Sequence, residues 1–158
     1  MIELILGGAR SGKSALAERR AIESGLAVTY IATGEAGDNE MAARIAHHKT
    51  RRPIHWGLVE EPMHLAAALR AHAAPDRLLL VDCLTLWVSN LLIKGVGPSD
   101  VAARLQHLES ALLAGGPHVV LVTNEVGMGL VPDNPLGRQF RDTIGNLHQR
   151  LAARVDEL

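Results

Sequence analysis

Aromatic residues are nearly absent from this chain: they make up 3% of it, with two tryptophans, one tyrosine and one phenylalanine. Any core must therefore be built from Ala, Leu, Val and Ile, within a hydrophobic fraction of 47%. Cys83 is the single cysteine, which excludes an internal disulfide framework and fits a reducing cytoplasm. No apolar run approaches the roughly 20 residues of a membrane span. The first residues lack the basic and long apolar regions of a signal peptide. Neither sign of charge dominates, with 16 Lys and Arg against 17 Asp and Glu. That balance gives no support to nucleic-acid or membrane-surface binding as the main task. Internal repeats, low-complexity tracts and linkers are missing too. The 158 residues are thus expected to form one domain, 1–158, with enough apolar material for a real core.

What is present begins at once. Gly7-Gly8-Ala9-Arg10-Ser11-Gly12-Lys13-Ser14 fits the phosphate-binding pattern G-x-x-x-x-G-K-[ST]. Glycines let the backbone turn tightly, so that successive N–H groups point at phosphate oxygens. Lys13 brings a compact positive charge to the outer phosphates, and Ser14 offers a hydroxyl to Mg²⁺. The helix that starts there adds the positive end of its dipole. The flanks suit the motif: Ile2–Leu6 reads as a buried strand and Ala15–Ile22 as a helix. These residues predict a nucleotide-binding protein.

Further along, Leu26–Ala32 reads as a strand ended by Thr33-Gly34, with Gly25 capping the helix before it. Asp38 or Asn39 can cap a helix from Glu40 to about Lys49. Ile54–Glu60 reads as a less regular strand, Met63–His72 as a helix and Arg77–Asp82 as a buried strand. Leu84–Ile93 forms a helix. Ser99 is the expected N-cap of Asp100–Ala114, whose Val101, Leu105, Leu108 and Leu112 share one face. His118–Thr123 is the last strand, and a helix from about Leu136 to Val155 follows. Alternating strands and helices give an α/β fold with a mainly parallel sheet flanked by helices. With the phosphate loop in place, the expected fold is P-loop NTPase-like (RecA-like). The chain stops where such a fold often adds an edge strand, which suggests truncation.

Three constellations carry chemistry. Asp82 ends an apolar strand, where a P-loop fold brings a second Mg²⁺ contact beside Ser14. Arg44-Ile45-Ala46-His47-His48-Lys49-Thr50-Arg51-Arg52 concentrates cations and two histidines in a nearly neutral chain. A plain solvated helix end would look similar. Beside a triphosphate, however, a neutral imidazole can attack phosphorus, and the surrounding cations favour that free-base form against the pull of the helix C-terminus. The residues alone do not choose between His47 and His48. His47, His48, His55 and His64 lack structural-zinc spacing, and His72, His107, His118 and His148 are scattered. Third, Asn124 and Glu125 stand at a strand end before a glycine loop, at the edge where open α/β sheets hold ligands. They are a possible substrate loop.

Together the stretches GGARSGKS, YIAT (Tyr30–Thr33), EMAARIAHHKTRRPIHW (Glu40–Trp56), VDCLTLWVSNLL (Val81–Leu92) and VLVTNEVGMGLVP (Val120–Pro132) resemble one family. So does FRDTIGNLHQRLA from Phe140. It is the bifunctional adenosylcobinamide kinase / adenosylcobinamide-phosphate guanylyltransferase family of cobalamin biosynthesis. The resemblance implies phosphorylation of the aminopropanol arm of adenosylcobinamide by ATP or GTP. GMP then passes from GTP to a histidine and on to the substrate phosphate. The family's guanylylated histidine matches His47. Its GTP contacts match Gly7–Ser14, Ala32, Thr33, Gly34, His48, Lys49, Thr50, Arg51, Glu60 and Asp82. The resemblance further implies a homotrimer, and a C-terminal apolar strand that this chain lacks. Two other readings compete: a simple P-loop kinase for a small molecule, and a non-catalytic nucleotide-dependent switch. Only the bifunctional enzyme requires a covalent protein–GMP bond.

Overall fold

Five apolar runs become five parallel strands: β1 (Ile2–Gly7), β2 (Ala27–Ala32), β3 (Gly57–Glu60), β4 (Arg77–Asp82) and β5 (His118–Asn124). The structure, a computed structural model, describes residues 1–35 and 39–158. The side chains of Asn39, Glu40, Met41, Arg44 and His48 also lie outside the described residues, and with them the expected cap at Asp38 or Asn39. Among the described residues the strands form one sheet in the order β1-β5-β4-β2-β3. β4 sits in the middle, and Leu78, Leu79, Leu80 and Val81 are each 0% exposed. That is the continuous apolar run of a strand covered on both faces.

The pleat sorts side chains by parity. Leu78, Leu80, Val120, Val122, Val28 and Tyr30 meet α1 (Lys13–Glu23), whose Ala17 and Ala21 face the sheet. Leu79, Val81, Ile31, Val119 and Leu121 face the opposite way. They pack under α3 (Leu65–His72), α4 (Leu84–Ile93), α5 (Pro98–Leu113) and α6 (Pro135–Ala152). The remaining helix, α2 (Asn39–Arg51), links β2 to β3.

Element bounds depart from expectation where local hydrogen bonds decide. α5 is capped by Gly97, not Ser99, because Pro98 occupies the first helical position. A proline fits there, having the right φ and no N–H to satisfy. α3 starts at Leu65 rather than Met63 because Glu61 Oε2 accepts the N–H groups of Met63 and His64, each at 3.1 Å. β3 starts only at Gly57, after a turn in which Trp56 N–H donates to the Pro53 carbonyl. α6 stops at Ala152, and the chain then runs along the outer edge of β1. There Asp156 N–H donates to Ile2 O and Glu157 O accepts from Leu4 N–H.

Candidate active site

All five strands point the same way, so their C-terminal ends share one edge. Gly7 pairs with Asn124, Asp82 with Val122, and Ala32 with both Asp82 and Glu60. Three residues from separate constellations in the sequence therefore meet at this edge: Gly7, Asp82 and Asn124.

The phosphate loop follows β1. Residues 8–12, among them Ala9 and Ser11, are exposed, while Lys13 and Ser14 are half-buried at the start of α1. Gly12 caps α1 at φ 89°, in the left-handed region that glycine adopts without strain. A Cβ on Gly7 would stand 2.8 Å from Ser11 Oγ, so the loop closes tightly on that residue too. Arg10 also has a positive φ, 55°. Lys13 Nζ folds over the loop and donates to the Gly8 carbonyl.

Ser14 Oγ donates to Asp82 Oδ2 at 2.9 Å, and Tyr30 Oη donates to the same oxygen at 2.8 Å. Burial pushes the Tyr30 phenol well above its ordinary range, and the adjacent Asp82 charge pushes it further, so it stays protonated as a donor. A serine hydroxyl and a carboxylate in contact are a hard-oxygen donor pair of the sort Mg²⁺ takes alongside substrate phosphates. The residues present therefore fit that ion.

Beneath the carboxylate, Thr33 braces the frame. It is fully buried, its Oγ1 donates to the Cys83 carbonyl at 2.6 Å, and it accepts from Cys83 N–H at 2.9 Å. Its carbonyl accepts from Asn90 Nδ2 at 2.7 Å and its N–H donates to Asp82 O. The Thr33 side chain thus bonds to the strand ends at the edge where the nucleotide is expected. Ala32 and Gly34 on either side are half-buried, and Gly34 lies between Leu86 of α4 and Ile45 of α2. Burial, with the Asp82 charge adding to it, pushes the Cys83 thiol up to about 11.

On the other flank, the basic segment is fastened to the edge cation by cation. Lys49 Nζ lies 2.8 Å from Glu60 Oε1 at the end of β3. Arg51 reaches Glu18 Oε2 on α1 at 3.0 Å, and the Arg52 guanidinium covers the Tyr30 ring at 3.8 Å. Thr50 Oγ1 donates to the His47 carbonyl, and His47 itself is exposed. The expected role of the His48 side chain falls outside the described residues. A relay therefore joins the basic segment to the P-loop: Arg52 on Tyr30, Tyr30 to Asp82, Asp82 to Ser14.

Sequence reasoning missed Tyr30 and Glu18 as members of this site. Tyr30 is the chain's only tyrosine, and strand parity puts it on the α1 side; that signal was available. Glu18 gave none, because a glutamate on an amphipathic helix reads as surface. It is instead 8% exposed, with Oε1 lacking a partner among the described residues.

Asn124 and Glu125 do adjoin the P-loop: Glu125 N–H donates to Gly7 O at 2.9 Å, and Asn124 N–H to Thr85 Oγ1 at 2.7 Å. The Glu125 carboxylate turns back to accept from Gly127 N–H. Behind it, Thr123 Oγ1 meets His148 Nε2 at 2.8 Å. Burial holds the His148 pKa below 6.5, against the opposing pull of the Glu125 charge.

A family model described as cobinamide kinase / cobinamide phosphate guanyltransferase matches residues 3–158. The chain is 53% identical over 162 aligned positions to the bifunctional adenosylcobalamin biosynthesis protein CobP of Pseudomonas aeruginosa, covering all of this chain and 91% of that one. It is 46% identical to the protein CobU of Salmonella typhimurium, with 93% of that chain covered. CobU of Escherichia coli is 44% identical. Among solved structures, a RadB recombinase superposes with a TM-score of 0.54 at 16% identity, over 90% of this chain and 70% of that one. A type III secretion ATPase gives 0.58 at 14% identity, over 98% of this chain and 49% of that one. These likenesses show a P-loop NTPase fold.

Proposed function

The chain belongs to the cobinamide kinase / cobinamide phosphate guanyltransferase family, and from that premise we propose that it acts as both enzymes on adenosylcobinamide. In the first step ATP or GTP phosphorylates the aminopropanol hydroxyl. In the second, an imidazole nitrogen of His47 bonds to the α-phosphorus of GTP as the bond to the β-phosphate oxygen breaks, releasing pyrophosphate. An oxygen of adenosylcobinamide phosphate then displaces the histidine from that phosphorus, giving adenosylcobinamide-GDP and free His47.

One observation carries this reading: the relay from Arg52 through Tyr30 and Asp82 to Ser14, which ties the histidine segment to the phosphate loop. A simple kinase has no use for such a segment. The backbone N–H groups of Gly8–Ser14 cradle the phosphates, and Lys13 neutralises their outer oxygens. Ser14 and Asp82 would hold Mg²⁺, which when bound offsets charge developing on the transferred phosphoryl group. Tyr30 orients the Asp82 carboxylate. Lys49, Thr50, Arg51 and Glu60 contact the nucleotide beside His47, together with Ala32 and Gly34, while Asn124 and Glu125 face the acceptor. We further read residues 1–158 as one transferase domain that works as a cytoplasmic homotrimer, a reading supported by the family resemblance. No helix among the described residues is long and apolar enough to cross a membrane.

The test is covalent. With Mg²⁺ and GTP labelled at the α-phosphate, denatured protein is expected to retain acid-labile label. His47→Ala should abolish it and His48→Ala should not. Label at the γ-phosphate should not be retained. No covalent label from either position, with nucleotide binding intact, would leave a kinase alone.

A further inference from the structure

On the sheet face away from α1, helices α3 and α5 flank an open concavity of about 280 Å³. Its polar lining consists of two guanidiniums, Arg70 and Arg104, and two imidazoles, His64 and His107, with Trp87 and Met63 completing the wall. Arg104 Nη1 donates to the Met63 carbonyl at 3.0 Å and lies 3.3 Å from His64 Nδ1. Arg70 Nη2 donates to the His107 carbonyl at 3.4 Å. These contacts fix where the guanidiniums sit without neutralising them.

The contrast with other arginines is informative. Arg20, Arg51 and Arg150 each pair with a carboxylate, from Glu3 and Glu157, Glu18 and Glu109 respectively. Among the described residues, Arg70 and Arg104 pair with none. Glu61 is close in sequence, but its Oε2 is taken by the N–H groups of Met63 and His64, and it does not line the cavity. The first turn of α3 opens onto the same space, and its N-cap His64 supplies no side-chain cap. Two unpaired guanidiniums in one concavity suit a multiply charged oxyanion, whose oxygens accept their forked N–H groups. The volume falls just short of the ~300–1,000 Å³ typical of pockets for larger ligands, which points to a compact ion.

We propose that this cavity is a second anion site, separate from the P-loop, that takes a phosphate-class oxyanion: inorganic phosphate or pyrophosphate. Arg104 and Arg70 are its binding residues. The proposal stands whether or not His47 is guanylylated, because binding is read without GTP or corrinoid.

Trp87 supplies the readout, since it lines the cavity and its Nε1 donates to the Met63 carbonyl at 2.9 Å. In a Trp56→Phe protein it is the only tryptophan. Titration with phosphate, and separately with pyrophosphate, at constant ionic strength is expected to give a saturable change in its fluorescence. The stronger of the two identifies the natural anion. Arg104→Gln and Arg70→Gln should each weaken that binding at least tenfold, Arg104→Lys less, and Lys13→Ala should leave it unchanged. Arg70 is exposed, so its variant keeps the test valid if loss of Arg104 unfolds the protein. No saturable change would overturn the site. So would a change that survives both glutamine variants, or one abolished by Lys13→Ala.

Discussion

The two flanks of the catalytic edge are held in place by different physics. On the P-loop flank, Ser14, Tyr30, Asp82 and Thr33 are fixed by short hydrogen bonds, and Tyr30 and Thr33 are almost wholly buried. On the histidine flank, position depends on charge. Lys49 and Glu60 are 45% and 59% exposed, and Arg51 is 35% exposed where it meets Glu18. Exposed ion pairs contribute about 0–1 kcal/mol each and weaken with salt, whereas a buried polar group stripped of its partner costs about 1–3 kcal/mol. The cradle for phosphates is therefore rigid, and the arm carrying His47 is held by contacts that ions can loosen.

The largest effect should come from the rigid flank. Asp82→Ala removes the acceptor of both Ser14 and the buried Tyr30 phenol. Turnover in both half-reactions is expected to fall about 10²–10³-fold, the range for removing one positioned electrostatic group. Stability should fall by about 1–3 kcal/mol, read by denaturant unfolding. Tyr30→Phe is the finer cut. It leaves the Ser14–Asp82 contact and the ring under Arg52, and should cost about 1 kcal/mol with a smaller loss of turnover. Equal losses from the two variants would mean that the phenol, not the carboxylate, organises the flank.

The charged flank should respond to salt instead. Lys49→Ala is expected to change stability by less than about 1 kcal/mol. Its effect on the KM for GTP in the transferase step should shrink as salt rises to about 1 M, where screening acts over roughly 3 Å. The kinase step should be nearly indifferent. A Lys49→Ala defect that persists unchanged at high salt would show the two flanks to be built alike.

The same division explains what could be read in advance. β4 and α4 match their expected bounds because Leu78–Val81 and the apolar helix after Cys83 signal burial without outside help. The P-loop was legible because its chemistry is local: glycine conformations, a lysine and a serine in consecutive positions. The Ser14–Asp82 contact followed once β1 and β4 were expected in one parallel sheet. Glu18 was not legible, since its burial is created by Arg51 arriving from another element. Nor was the bond from Thr33 to the backbone of Cys83, 50 residues away in sequence, although Thr33 itself was singled out as a ligand contact. Side chains that serve the frame and those that serve the ligand look alike until the strands are aligned.

Two smaller effects should separate the flanks further, both arising from burial. Cys83, buried and with its thiol pushed up to about 11, should resist alkylation at neutral pH until the protein unfolds. The subtlest prediction concerns His148, behind the end of β5. Burial holds its folded pKa below the ordinary 6.5, so near neutrality it is an uncharged partner of Thr123. Below about pH 6.5 the unfolded chain binds this proton more readily than the folded one does. The slope of stability against pH follows that difference, so stability must fall as the solution is acidified. His148's contribution is therefore fully present above pH 6.5 and is lost as pH drops through its lowered folded value. His148→Gln, which cannot titrate, should have a flatter melting-temperature profile across that window than the native chain. High salt should leave the difference in place, because desolvation rather than a screened ion pair causes it. A difference that salt erases would assign His148 to the charge-held class instead, with Glu125 as its dominant neighbour.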